Sequence, residues 1–309
     1  MSSQALEYLG TTAGRIADLD ARFLLLALAL QLGNLACRSV AWRNIVVAAY
    51  PDRRVPLLGV AAAYAAGVAA NSFLPARGGE AIKVALLRTQ VPGSSVAALA
   101  AAGSVVLVLD GALAAVLLGS AWLLGAVPAF PVPAVLADHT LVKVAAAVLG
   151  TGAAALLARR LLAHAPRRVR ALGAQLRQGV AVLGQPLRYL RSVVSFQLGA
   201  WACRIGVAFA LLASFGLPAT PQLAALVVVV GGMSTLVPAT PGGVGTQQVM
   251  IVYLLHETAS AANALAFSIG MQATITLVNT LIGLTAVMLV FRTARPLAAV
   301  RALRRTTRR

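Results

Sequence analysis

Apolar residues along this chain come in long unbroken blocks, not in the alternation of a half-buried strand or the stripe of a surface helix. Five blocks, at 22–42, 95–124, 140–158, 192–215 and 263–291, are long enough to cross a bilayer. At 1.5 Å rise per residue, roughly 20 residues cover a hydrocarbon core of about 30 Å. Two further apolar regions break partway. The first, 57–74, is followed by Pro-Ala-Arg-Gly-Gly and a short helix at 80–90; the second, 222–237, is followed by "PATPGGVG" and a short helix at 246–256. A short arm of about a dozen residues reaches only about 18 Å, too little to cross. The pattern therefore predicts two re-entrant hairpins, 57–90 and 222–256, each entering and leaving by one face. Irregular backbone at that depth persists only where protein or a wet cavity surrounds it.

Composition sharpens this into an all-α polytopic membrane protein. The 309 residues are 60% hydrophobic and 11% charged, against roughly half and a quarter in a soluble domain. The first twenty residues lack the basic-then-apolar order of a cleaved signal peptide and carry Glu7, Asp18 and Asp20 instead. The net charge of +18 is best read as the Lys and Arg excess of cytoplasmic loops, with no nucleic-acid partner expected. Eight arginines fall in 159–191, seven in the tail from Arg292, and Arg43, Arg53 and Arg54 follow the first block. No Lys or Arg occurs in 125–139, 216–222 or 256–263. This alternation puts the N-terminus outside and the C-terminus in the cytoplasm of a plasma or inner membrane. Cys37 and Cys203, the two cysteines, lie in apolar blocks and support neither a disulfide framework nor a zinc site.

The halves resemble each other. "QLGNLACRSVA" at 31–41 matches "QLGAWACRIGV" at 197–207, and in each half a Pro-Gly break, a short helix and a long span follow. The expected plan is an N-terminal segment 1–21, a first repeat 22–124, a connector and basic amphipathic linker 125–191, a second repeat 192–291 and a basic tail 292–309. An odd number of crossings inverts the second copy, giving the inverted-topology repeat of secondary transporters, whose sites lie near the midplane where broken helices meet. In the linker, Val169, Leu172, Leu176, Val180 and Leu183 recur near helical spacing among Arg167, Arg168, Arg170 and Arg177. They predict an amphipathic helix on anionic headgroups, or an ordinary basic loop.

Ionisable residues inside apolar blocks cost roughly 2.5–3.5 kcal/mol each on insertion scales and so mark candidate sites. Arg38 and Arg204 occupy matching positions of the repeat, and guanidinium suits phosphate; each could equally cap a helix end. Arg77, Glu80 and Lys83 share one stretch with Asn71, with Glu80 and Lys83 at i, i+3, as a headgroup site or an internal ion pair. Asp110, mid-block in "VVLVLDGALAAV", is a proton or cation site or the counter-ion of one of these arginines. Gly79, Gly242, Gly243 and Gly245 turn the hairpins and aim helix N-termini inward, where anions are favoured. Asn34, Gln247, Gln248 and Asn279 line a hydrophilic cavity or bond helix to helix. No catalytic motif, phosphate loop, metal-ligand spacing or cofactor signature is found.

The stretch "NSFLPARGGEAIKVALL", followed about 160 residues later by "LVPATPGGVGTQQ", resembles the membrane domain of lysylphosphatidylglycerol synthases. That domain is the flippase half of the bacterial multiple peptide resistance factor and also occurs as stand-alone proteins. The first motif's Leu-Pro, Arg, Gly-Glu and following basic residue fall on Leu74, Pro75, Arg77, Gly79, Glu80 and Lys83; Gln248 stands where the second usually ends in an acidic residue. The resemblance implies translocation of a lipid with a polar head group between leaflets. The expected partners are membrane lipids, with an anionic phospholipid or a polyprenyl-phosphate head group, and a homo-oligomer is left open. Without an aminoacyl-transferase domain, synthase activity is not expected. A membrane glycosyltransferase using Glu80 or Asp110 as base, or a small-solute transporter, are the competing expectations.

Overall fold

The computed structural model describes residues 20–74, 78–123, 167–234 and 245–291. Among them every regular element is helical: α1 (Ala21–Ala49), α2 (Leu57–Asn71), α3 (Gly79–Gln90), α4 (Val96–Leu123), α5 (Arg167–Gly179), α6 (Pro186–Ser214), α7 (Pro221–Ser234), α8 (Thr246–Leu254) and α9 (Ala261–Phe291). Within α6, residues Leu190–Val194 form a π-helical stretch. Four helices, α1, α4, α6 and α9, are long and apolar enough to cross a membrane. They correspond to four of the five expected blocks, and the fifth, 140–158, lies outside the described residues.

Local chemistry sets the helix ends. Asp20 caps α1 by accepting the Arg22 amide at 2.9 Å, as a short acidic side chain does ahead of a first turn. Pro51 and Pro56 separate α1 from α2, because proline cannot continue a hydrogen-bonded helix. α2 and α3 then pack closely on each other. Gly79 makes this possible: a Cβ there would run into the Gly67 carbonyl oxygen and the Asn71 side chain. The Gly79 amide, which would otherwise be an orphan at the start of α3, donates instead to Asn71 Oδ1 at 2.8 Å.

Two apolar cores result. One gathers Trp42, Ile45, Val60, Leu86, Leu87 and Leu99 from α1 to α4; the other gathers Leu211, Leu212, Val227, Ile251, Leu255 and Phe267 from α6 to α9. The largest helix contact, α1 against α6, joins them, and α9 lies along α2. Here the two matching stretches meet. A Cβ on Gly33 would stand 3.1 Å from Cys203 Sγ, and one on Gly199 would stand 3.4 Å from Cys37 Sγ. The pairs 33/203 and 37/199 run in opposite senses, so these helices cross antiparallel with small residues at the seam.

The linker helix α5 rests on α4. Ser95 Oγ donates to Gln175 Oε1 at 2.8 Å, and Gln178 Nε2 donates to the Ala49 carbonyl at 2.9 Å. Gly179 and Val182 are buried against the bundle, whereas Leu172, Leu176, Leu183, Leu187 and Leu190 point outward. The inward contact is thus made by Gln175, Gln178, Gly179, Val180 and Val182, while the leucines of the expected stripe face away from the protein.

Candidate functional site

Polar side chains converge from α1, α2, α4, α6 and α9 between the two cores. On α1, Gln31, Asn34 and Arg38 stand at i, i+3 and i+7; on α6, Gln197, Trp201 and Arg204 stand at i, i+4 and i+7. Each trio therefore shares one helical face. Asp110 of α4 lies between them. Arg38 meets it with both terminal nitrogens, Nη1 to Oδ2 at 2.8 Å and Nη2 to Oδ1 at 3.1 Å. Oδ1 also accepts Gln197 Nε2 at 2.5 Å and Trp201 Nε1 at 2.8 Å. Arg204 stacks its guanidinium 4.9 Å over the ring of Trp201, the residue whose Nε1 donates to Asp110.

Two further Arg38 donors are used. Nε donates to Asn34 Oδ1 at 3.1 Å, and Nη1 also donates to the Tyr64 hydroxyl at 3.3 Å. Asn34 passes the chain to Gln31 at 3.2 Å, and Gln31 passes it to Asn279 of α9 at 2.7 Å. Only 11% of the Arg38 side chain and 19% of the Asp110 side chain remain exposed. Charge taken out of water is tolerated where such geometry and additional hydrogen bonds offset desolvation.

A second cation adjoins the first through Tyr64. The Lys83 ammonium sits 4.9 Å from the ring centroids of both Trp42 and Tyr64 and 2.5 Å from Glu80 Oε2. The aromatic faces supply the negative quadrupole that an ammonium prefers, while Glu80, 48% exposed, reaches the surface. Tyr64 thus offers its ring to Lys83 and its hydroxyl to Arg38.

Of the residues singled out in the sequence, the structure joins Arg38, Asp110 and Arg204 in one cluster, with Glu80 and Lys83 beside it. Gly79 and Asn71 hold the start of α3. Gln248 is elsewhere: its Oε1 accepts the Gly245 amide at 2.6 Å and its Nε2 donates to Gln272 at 2.5 Å, so its partners lie just ahead of α8 and on α9, and none is in the Arg38–Asp110 cluster. It borders a cleft of about 440 Å³ with Val249, Val252, Tyr253, His256 and Leu265. Gly245 has φ 89°, the left-handed region glycine tolerates, and opens α8. Arg77, Gly242 and Gly243 lie outside the described residues. No group of three or more His, Cys, Asp or Glu suited to a metal occurs among those described.

Sequence reasoning did not single out Trp42, Tyr64, Gln197 or Trp201. A signal existed for Gln197, which is one of the identities in the repeat. Another lay in the tryptophans: two of the three in the chain serve the network.

The sequence model described as the lysylphosphatidylglycerol synthase TM region matches residues 9–283. The chain belongs to that family. Membership agrees with the long apolar helices and makes this a multi-pass membrane protein. No curated protein matches the chain. Within the family's matched region fall all the residues of the Arg38–Asp110 and Lys83–Glu80 clusters.

Proposed function

We propose that this protein is a lipid flippase or scramblase, moving a phospholipid or another phosphate-containing lipid between leaflets. The headgroup passes through the protein while the acyl chains stay in the bilayer. The observation that carries this reading is the pair of linked clusters, Arg38–Asp110 and Lys83–Glu80, set among apolar helices in a family defined by a lipid synthase's membrane region. Ionisable residues among membrane-spanning helices are costly and for that reason point to a functional site.

In this reading Arg38, Arg204, Lys83 and Arg77 attract the anionic part of the headgroup, and Glu80 and Asn71 take its hydroxyl or ammonium groups. Asp110 balances the arginines. Gly79, Gly242, Gly243 and Gly245 shape re-entrant turns at 57–90 and 222–256, with Gln248 at the start of the second short helix. The two halves form an inverted repeat that rocks about the α1–α6 seam, with the N-terminus outside, as in transporters built from such repeats. The reciprocal contacts of Gly33 with Cys203 and Gly199 with Cys37 support that symmetry.

The test is reconstitution into liposomes of phosphatidylcholine with labelled phosphatidylglycerol in both leaflets. Expected is loss of protected label faster than in empty liposomes, slowed by Arg38→Gln. Equal rates with and without protein, for phosphatidylglycerol and for a polyprenyl phosphate, would end the proposal.

A further inference from the structure

Asp110 is held by more donors than an ion pair needs. Four N–H groups converge on its carboxylate: Arg38 Nη1 and Nη2 from α1, Gln197 Nε2 and Trp201 Nε1 from α6. A bidentate guanidinium with two neutral donors opposite is the recognition set of an oxyanion, and a phosphate offers the same geometry as a carboxylate. These donors come from the two antiparallel helices of the seam, whereas the acceptor comes from a third, α4. Donors and acceptor therefore need not move together. A second observation concerns the same cradle. Gln197 is fully buried, and its Oε1 has no hydrogen-bond partner among the described residues, although its own Nε2 holds Asp110. A buried amide oxygen in that state is costly unless some occupant supplies a donor.

We propose that the Arg38–Gln197–Trp201 cradle is a phosphate-binding site and that Asp110 is its resident occupant, displaced when a phosphate arrives. The incoming phosphate takes the four N–H groups, and a hydroxyl of the headgroup, or a water travelling with it, donates to Gln197 Oε1. Arg204, stacked on the Trp201 ring, adds a second positive charge beside the anion. Asp110 then swings with α4, so occupation of the cradle alternates between the protein's own carboxylate and the ligand's. This rests on the transport reading for the lipid as source, but the site itself is tested by binding alone.

The experiment compares wild-type protein, Asp110→Asn, Asp110→Asn with Arg38→Gln, and Asp110→Asn with Trp201→Phe, all purified in neutral detergent. The probes are dihexanoyl phosphatidylglycerol and inorganic phosphate, and the readouts are Kd and ligand-induced rise in Tm. Removing the resident charge is expected to tighten phosphatidylglycerol binding by about tenfold. Loss of Arg38 or Trp201 in that background should reverse the gain. Ligand that binds only the folded state raises Tm, so even an unstable Asp110→Asn protein reports binding through rescue. Tighter binding of phosphatidylglycerol but not of inorganic phosphate assigns the site to a headgroup; tighter binding of both assigns it to the phosphate group itself. Unchanged or weaker binding of both to Asp110→Asn, or a gain that survives Arg38→Gln, would overturn the proposal. If the gain appears while liposomes show no translocation, the site stands and the transport reading falls. If translocation occurs while binding is indifferent to Asp110, the reverse holds.

Discussion

Arg38 and Asp110, 72 residues apart, close a two-point ion pair at 2.8 and 3.1 Å between α1 and α4. Breaking one side of a buried pair leaves the other charge uncompensated, which costs about 3–5 kcal/mol, whereas replacing both by apolar residues is often neutral or better. Arg38→Leu and Asp110→Leu are each expected to lower the unfolding midpoint in detergent, and the double variant to recover part of the loss, since Gln197 and Trp201 then lack their acceptor. The double variant should still fail to move lipid. Single variants costing less than about 1 kcal/mol would mean that the pair is solvated like a surface bridge.

This pair also marks how far the sequence could be read. A charge inside an apolar block is visible without a structure, so Arg38, Asp110, Arg204, Glu80 and Lys83 stand out at once. Four long helices are legible for the same reason, as is the short α3, because length and hydropathy are local properties. Who pairs with whom is not local. Asp110 could balance either arginine until the crossing of α1, α4 and α6 is known, and Gln197 reaches it across 87 positions. Trp42 and Tyr64 read as ordinary apolar bulk, since nothing in their neighbours' identities reveals that Lys83 lies between them. Gln248 is likewise visible as part of a motif, but its partners are not: its amide closes the first turn of α8 by bonding Gly245.

Glu80 and Lys83 can be tested one charge at a time. The pair is made at 2.5 Å, but Glu80 is 48% exposed and the attraction is screened accordingly. A fully exposed pair contributes about 0–1 kcal/mol. Because Lys83 is buried, Glu80→Gln leaves that charge to the two rings and is expected to lower the unfolding midpoint by more than a surface bridge would. Lys83 itself is 7% exposed and lies between two aromatic rings. Lys83→Met keeps the packing stem and removes the charge, leaving Trp42 and Tyr64 filled. We expect it to fold, and both variants to slow lipid transfer several-fold relative to wild type. Normal transfer by both, at normal stability, would reduce this cluster to packing.

The close approach of α2 and α3 depends on missing side-chain atoms. A Cβ at Gly67 would lie 2.8 Å from Lys83 Cβ and 2.9 Å from the Gly79 carbonyl oxygen, contacts no side chain occupies without movement. Overpacking of this kind costs about 1–3 kcal/mol, so Gly67→Ala and Gly79→Ala should both lower the unfolding midpoint. Gly103, mid-helix in α4, has nothing within 4 Å of its Cβ position. Gly103→Ala is expected to be neutral or to stabilise, because alanine is favoured over glycine inside a helix by about 0.5–1 kcal/mol. Thermal unfolding of the three variants checks the contrast, and equal effects at all three positions would count against the close α2–α3 contact.

The antiparallel seam can be tested by chemistry that does not depend on activity. Cys203 Sγ lies 3.1 Å from where a Gly33 Cβ would stand, and Cys37 Sγ lies 3.4 Å from that of Gly199. Both separations are within reach of a disulfide, whose S–S bond is about 2.0 Å long and whose Cβ atoms sit about 3.8 Å apart. Gly33→Cys is therefore expected to cross-link to Cys203 on mild oxidation, and Gly199→Cys to Cys37, each consuming two of three thiols in a maleimide gel-shift count. The reasoning turns on sense as well as proximity. If α1 and α6 ran parallel, one of the two pairs could meet but the other would be separated by about two turns, roughly 11 Å along the axis. Cross-linking of both variants thus requires the reciprocal geometry that relates one half of the chain to the other. Cross-linking of only one, with the other's thiols all free, would leave the helices adjacent and remove the symmetry on which a rocking motion depends.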